Sequence, residues 1–312
     1  MEKIKNVCVV DSVYTLFIFL MLSQDDIDET LFVISDGIPD SIKDKLPAKL
    51  VFPAYKDKKF QQIYRLFYCV YFSILKRNLL EKLKTKNLYG QDHLFYSHLF
   101  MVDGFTLLED GLGNYQQAKH ETLAKRIRFL LSGHKEWGYG NKVKKIILTG
   151  LNQIPDTIKY KTELVDLKKS WLECTDKKKE FINNFFFFEQ VSEKEEIDVL
   201  LLTQPFSEDG VLTENEKIEL YKRISRMYKG KFAIKPHPRE LTDYSLHFNC
   251  IVFDNKFPVQ LLLYISTPKK IVTCFSSISS EHFNVPVESY GTAMSEKLTN
   301  YYGEFKGNMN VR

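Results

Sequence analysis

The sequence is poor in features that staple, repeat or span. Its 312 residues include only five cysteines and two tryptophans. The cysteines, Cys8, Cys69, Cys174, Cys250 and Cys274, are scattered, with no Cys-x-x-Cys pair. An odd, dispersed set excludes a disulfide framework and a structural zinc site, and it fits a reducing compartment. No apolar run reaches the ~18 residues a membrane span needs. The nearest approach is MEKIKNVCVVDSVYTLFIFLML, where a basic start precedes apolar Val13–Leu22. Asp11 and Ser12 split it, so it reads as strand, turn and buried helix rather than signal peptide. No charge of one sign dominates: the net charge is +4, and nucleic-acid binding is not implied. There is no internal repeat, and no low-complexity tract beyond the phenylalanines at Phe185–Phe188.

What is present is ordinary for a folded protein. Apolar residues are 44% and charged residues 27%, which excludes a disordered, collagen-like or coiled-coil chain. Aromatics are plentiful at 14%. The length suggests about two domains.

Strand and helix signals alternate. Expected strands are Asn6–Val10, Thr30–Ser35, Leu50–Phe52, Leu94–Ser97, Phe105–Leu108 and Lys145–Thr149. A long helix is expected over Lys59–Lys86, with Ile63, Leu66, Phe67, Val70, Tyr71, Ile74 and Leu75 as its packed stripe and a charged outer face, a contact surface in a membrane assembly complex being the alternative. The charged segment 166–196 reads as a connecting helix and crossover. The Phe185–Phe188 run within it reads as interdomain packing, with a partner surface as the alternative. The second half repeats the alternation. Strands are expected at Ile197–Leu202, Phe232–Ile234, Cys250–Phe253 and Lys270–Thr273, and helices at Thr213–Tyr228, Val259–Ser266 and Ser277–Phe283. Thr213 and Glu216 have capping-box spacing. The expectation is an α/β fold of two domains, 1–165 and 197–312, with a cleft between them. Such sheets bind ligands beyond the carboxyl ends of their strands.

Four strand ends carry residues suited to chemistry. Glu109-Asp110-Gly111-Leu112-Gly113 follows the strand at 105–108; alone it also reads as a glycine turn with capping acids, and its glycines do not form a dinucleotide fingerprint. Ser207-Glu208-Asp209-Gly210 follows the strand at 197–202 and also reads as a plain βα loop. Lys235-Pro236-His237-Pro238-Arg239 sets an imidazole between two prolines, with cations on either side. Proline restricts the preceding backbone, and histidine suits proton transfer near neutral pH, though a rigid surface turn is equally consistent. Ser276-Ser277 precedes an expected helix, where hydroxyls and free N–H groups suit a phosphate or simply cap the helix.

The combination resembles the bacterial sialyltransferases of glycosyltransferase family 52, which modify lipooligosaccharide or capsule. The resemblance is carried by LEDGLGNY (Leu108–Tyr115), LLLTQPFSEDG (Leu200–Gly210), KPHPRE (Lys235–Glu240) and VTCFSS (Val272–Ser277), in that order, and by the opening VCVVDSVYTLFIF. It implies a GT-B fold, two Rossmann-like domains facing a central cleft, with the acceptor side in the first and the CMP-sugar in the second. It implies inverting transfer of N-acetylneuraminic acid from CMP-Neu5Ac to a terminal galactose. His237 would be the general acid and Asp209 the general base, with Glu208 its neighbour and Asp110 its rival. Ser276 and Ser277 would hold the phosphate, with Lys235 and Arg239 nearby, and Glu109, Asp110 and Gly111 would face substrate. No metal or other cofactor is expected. A single leaving phosphate needs only a proton and hydrogen bonds, and Asp26-Ile-Asp28 reads as a solvated turn. The location is expected to be cytoplasmic, with peripheral membrane contact and a homodimer as open options and no nucleic-acid partner. The alternatives are transfer from another CMP-sugar, polysialic acid synthesis, or a non-catalytic scaffold in a glycan assembly complex.

Overall fold

The computed structural model describes residues 3–23, 27–53, 61–115, 135–188, 196–276, 278 and 283–309. The expected helix at Ser277–Phe283 falls mostly outside them. The chain divides into two compact units, Met1–Cys174 and Thr175–Arg312.

The first unit is built on β1 (Asn6–Val9), β2 (Thr30–Ile34), β3 (Lys49–Val51), β4 (Asn87–Gly90), β5 (Phe105–Leu108), β6 (Val143–Leu148) and β7 (Thr162–Leu164). All pairings are parallel, in the order β3-β2-β1-β4-β5-β6-β7. Its helices are α1 (Val13–Leu22), α2 (Asp40–Lys43), α3 (Gln61–Leu75), α4 (Arg77–Leu83), α5 (Asp156–Lys159) and α6 (Leu167–Glu173). Helix α1 is apolar all round, as a helix buried on every side must be. Ser12 starts it, its Oγ accepting the Thr15 N–H at 3.2 Å.

The second unit has β8 (Val199–Leu202), β9 (Phe232–Lys235), β10 (Ile251–Val252), β11 (Lys270–Thr273) and β12 (Val287–Ser289), again all parallel, ordered β10-β9-β8-β11-β12. Its helices are α7 (Asp176–Phe185), α8 (Glu214–Ser225), α9 (Val259–Ile265) and α10 (Glu296–Tyr302). The Thr213–Glu216 capping box opens α8. In each sheet the chain winds outward one way and then the other. The switch points lie between β1 and β4 and between β8 and β11, where open α/β sheets bind ligands. The α/β expectation therefore holds in both units. Among the described residues no helix is long and apolar enough to cross a membrane.

Several expectations change. The strand beside β1 is Asn87–Gly90, not Leu94–Ser97, which forms a loop and a short 3-10 turn at Ser97–Leu99. Its Asn-Leu-Tyr-Gly sequence has no apolar run to mark it. The expected segment 166–196 divides at Cys174. Asp166 caps α6, whose Trp171 is buried in the first unit, and Thr175 caps α7 in the second. Phe185, Phe186 and Phe188 are buried, with Phe188 edge-on to Phe257 at 4.8 Å, while Phe187 is 37% exposed, so most of the run is packed rather than a partner surface. The long helix breaks at Lys76 into α3 and α4. The stripe expected to pack, Ile63 to Leu75, faces outward, with Phe67 and Ile74 each 70% exposed. Cys69 and Phe72 point inward, toward Phe52. Periodicity marks an apolar face, but α3 has apolar residues on both sides, so its period did not say which one is buried.

Candidate functional site

In the second unit three strand ends converge near the switch point. The loop after β9 is closed by its own glutamate. Glu240 Oε2 accepts the His237 N–H at 2.8 Å, and the Glu240 N–H returns to the His237 carbonyl at 2.9 Å. Glu240 also accepts the Tyr244 hydroxyl at 2.8 Å and the hydroxyl of Thr203, which follows β8. Burial pushes the Glu240 carboxyl up, against the pull of these donors and of Lys217. The result is a half-buried imidazole on a backbone with little freedom. The Arg239 N–H lies 3.2 Å from His237 Nδ1.

Lys217 lies beneath both loops, with no exposed side-chain surface. Its ammonium is 3.0 Å from both Glu208 oxygens, 3.4 Å from Glu214 and 3.7 Å from Glu240. Glu208 further accepts the Leu241 N–H at 2.8 Å, so its carboxylate serves to join the loops. Asp209, its neighbour, faces the other way. It accepts from Arg239 at 2.9 and 3.5 Å and from the Tyr302 hydroxyl at 2.9 Å. Tyr302, at the end of α10, is a contact that no local pattern in the sequence signals.

Lys235 was expected to face an anion. It is 3% exposed, and its ammonium donates to the carbonyls of Pro236 at 2.8 Å and Asn255 at 3.4 Å and sits over the Phe257 ring. Burial drives its pKa down to about 7, with Asp254 and Glu240 opposing. It braces the loop from inside. Ser276 is half-buried past β11, and Ser277 lies outside the described residues.

In the first unit, Glu109 was expected beside the substrate. It is wholly buried, and its carboxylate accepts Tyr14 at 2.6 Å, the Thr149 N–H and hydroxyl at 2.7 Å each, and the Tyr115 hydroxyl. With no exposed surface, this carboxylate ties β5 to β6 and α1 rather than meeting a ligand. Asp110 keeps 22% of its side chain exposed. It accepts Ser12 Oγ at 2.7 Å and Thr15 Oγ1 at 3.3 Å, and lies 3.2 Å from His93 Nε2. Gly111 has φ 73°, the left-handed region that favours glycine. His93 was not singled out from sequence, because the strand that delivers it was expected seven residues later.

The model of glycosyltransferase family 52 matches residues 36–298. A protein of Haemophilus influenzae described as uncharacterised is 33% identical, over 97% of this chain and 99% of its own length. Two solved structures share the fold at low identity. One is the GT-B domain of a sialyltransferase from Photobacterium damselae, 13% identical with TM-score 0.50, covering 90% of this chain and 89% of that one. The other is an alpha/beta-galactoside alpha-2,3-sialyltransferase from Photobacterium phosphoreum, 12% identical with TM-score 0.50, covering 95% and 94%.

Proposed function

From the premise that this chain belongs to glycosyltransferase family 52, with the paired parallel-sheet α/β domains of GT-B proteins, we propose that it transfers sialic acid from CMP-Neu5Ac to a terminal galactose of a bacterial surface glycan. The observation that carries this reading is the set at the strand ends of the second sheet. His237, Asp209 with Arg239, and Ser276 follow β9, β8 and β11, around the sheet's switch point.

In this reading His237, protonated on both ring nitrogens, donates its Nε2 proton to the departing CMP phosphate as the C2–O bond breaks and is left as the neutral imidazole. Ser276 and Ser277 hydrogen-bond the phosphate, and Arg239 lends positive charge beside the histidine. Asp209 takes the proton of the acceptor hydroxyl as its oxygen attacks C2 from the opposite face, inverting the centre. Asp110 is the rival for that proton. The donor already carries its own carboxylate, and its oxocarbenium-like state needs leaving-group help more than nucleophile activation. A placed proton and oriented donors supply that help, so the step is written without a metal. Lipooligosaccharide or capsule is the proposed acceptor class.

The test is incubation of purified protein with CMP-Neu5Ac and lactose, with chelator present, reading CMP and sialyllactose by mass spectrometry. Sialyllactose supports donor, reaction and metal independence together. CMP release alone keeps the donor and moves the acceptor. Neither signal, with other CMP-sugars also inert, overturns the reading in favour of a non-catalytic role.

A further inference from the structure

The first sheet has its own switch point, between β1 and β4. The chain leaving β4 there is Gln91-Asp92-His93, and β5 beside it ends in Glu109-Asp110. The His93 ring lies flat on the Trp137 indole, with centroids 3.9 Å apart and planes 11° from parallel. Trp137 is held there in an unfavourable backbone state, φ 61°, which bulky residues rarely adopt. Asp92, 2% exposed, clamps that turn by accepting the N–H groups of Trp137 at 2.8 Å and Gly138 at 2.7 Å. Gly113 leaves room for the indole, since a Cβ there would stand 2.5 Å from the ring. Backbone strain persists where surrounding structure over-determines it, typically to place a functional group. The group placed is His93, and through it Asp110.

We propose that His93 is a positioning residue of the transfer reaction: seated on Trp137, it holds the Asp110 carboxylate toward a sugar hydroxyl of the acceptor. The proposal rests on the glycosyl-transfer reading above. Among the described residues, the charged groups that act most on His93 are Asp110, Asp92 and Glu136, all acidic; those bonded to Asp110 are His93, Ser12, Thr15 and Gln91. Three carboxylates around one imidazole repel the anionic phosphate and carboxylate of a CMP-sialic acid, whereas a neutral sugar hydroxyl donates to a carboxylate readily. The surroundings therefore fit the acceptor and not the donor. Burial alone would lower the His93 pKa, but the hydrogen bond and charge of Asp110 outweigh it and raise the net value. Burial alone would raise Asp110, and the bonds from His93, Ser12 and Gln91 bring it below its ordinary value. Each partner thus favours the charged form of the other.

The experiment compares wild type, His93→Phe and His93→Gln in transfer to lactose across pH, at saturating donor. In His93→Phe the KM for lactose should rise about tenfold or more, the cost of a lost charge-assisted hydrogen bond. The acid limb of kcat/KM should also move to higher pH, because Asp110 loses the hydrogen bond and positive charge of His93. His93→Gln, which still offers an N–H, should recover most of the KM at neutral pH. An unchanged lactose KM and acid limb in His93→Phe overturns the proposal. A second readout needs no turnover: lactose should shift the His93 ring signals in NMR spectra of wild type and not of Asp110→Asn. Absence of that shift while other signals respond also overturns it. If wild type makes no sialyllactose yet lactose still moves the His93 signals, the sialyl-transfer reading fails and the placement of His93 stands.

Discussion

Arg239 grips Asp209 through both terminal guanidinium nitrogens, at 2.9 and 3.5 Å, while its own backbone N–H reaches His237 Nδ1. One residue thereby contacts both the carboxylate after β8 and the imidazole after β9. Arginine suits this because its planar fork matches a carboxylate in a way a lysine ammonium cannot.

Replacing His237 by alanine should lower the transfer rate at least about 10²-fold, the scale of a lost general acid. The loss should appear in kcat, since the proton moves only as the phosphate departs. Near-normal transfer from a folded His237→Ala protein would remove the residue from the chemistry.

Asp209→Asn should cost more in kcat than Asp110→Asn, whose defect should fall mainly on the KM for the acceptor. Steady-state kinetics on the two variants with lactose decide between them. The reverse order would move the base into the first domain.

Lys217→Met should destabilise the second domain by about 3–5 kcal/mol, because removing one member of a buried ion cluster leaves the others uncompensated. Denaturant unfolding measures this. Adding Glu240→Gln to that variant should return part of the loss, since one unpaired charge is then gone. A single variant as stable as wild type would show that Lys217 contributes nothing to the two loops above it.

Lys235 gives a pH signature. Its pKa is depressed to about 7 in the fold, against 10.5 for the free side chain. Between these values the unfolded chain binds the proton and the folded one does not, so this group's contribution to stability rises with pH across that window. Below about pH 7 both states are charged and the burial cost is felt in full. The stability difference between wild type and Lys235→Met should therefore shift toward wild type from pH 7 to pH 10 in thermal melts. A pH-independent difference would mean that the ammonium is not desolvated.

Transfer should survive chelator, because His237, Arg239 and the serine hydroxyls are assigned the work of stabilising the departing phosphate. Complete loss that magnesium restores would require a metal in the step.

Much of this protein is local information. The capping box at Thr213 starts α8 because a side chain three residues away satisfies its first N–H groups. The apolar runs at Val199–Leu202, Phe232–Lys235 and Lys270–Thr273 become interior strands, and the acids, histidine and serine after them reach the strand ends by chain connectivity alone. Short motifs of that kind survive as pattern, and they carried the family resemblance. What the tertiary structure decided is orientation and partnership over distance. Nothing local separates Glu109, spent inside on tyrosines and a threonine, from Asp110 beside it, which keeps 22% of its side chain exposed. Nothing near Asp209 announces Tyr302, 93 residues away. The strand Asn87–Gly90 forms because β1 and β5 flank it, not because its own residues favour a strand, and its misplacement hid His93. Propensity and periodicity describe a segment against water. Which face is buried, and which carboxylate stays partly exposed, depends on the energy of contacts that exist only once the sheets are assembled.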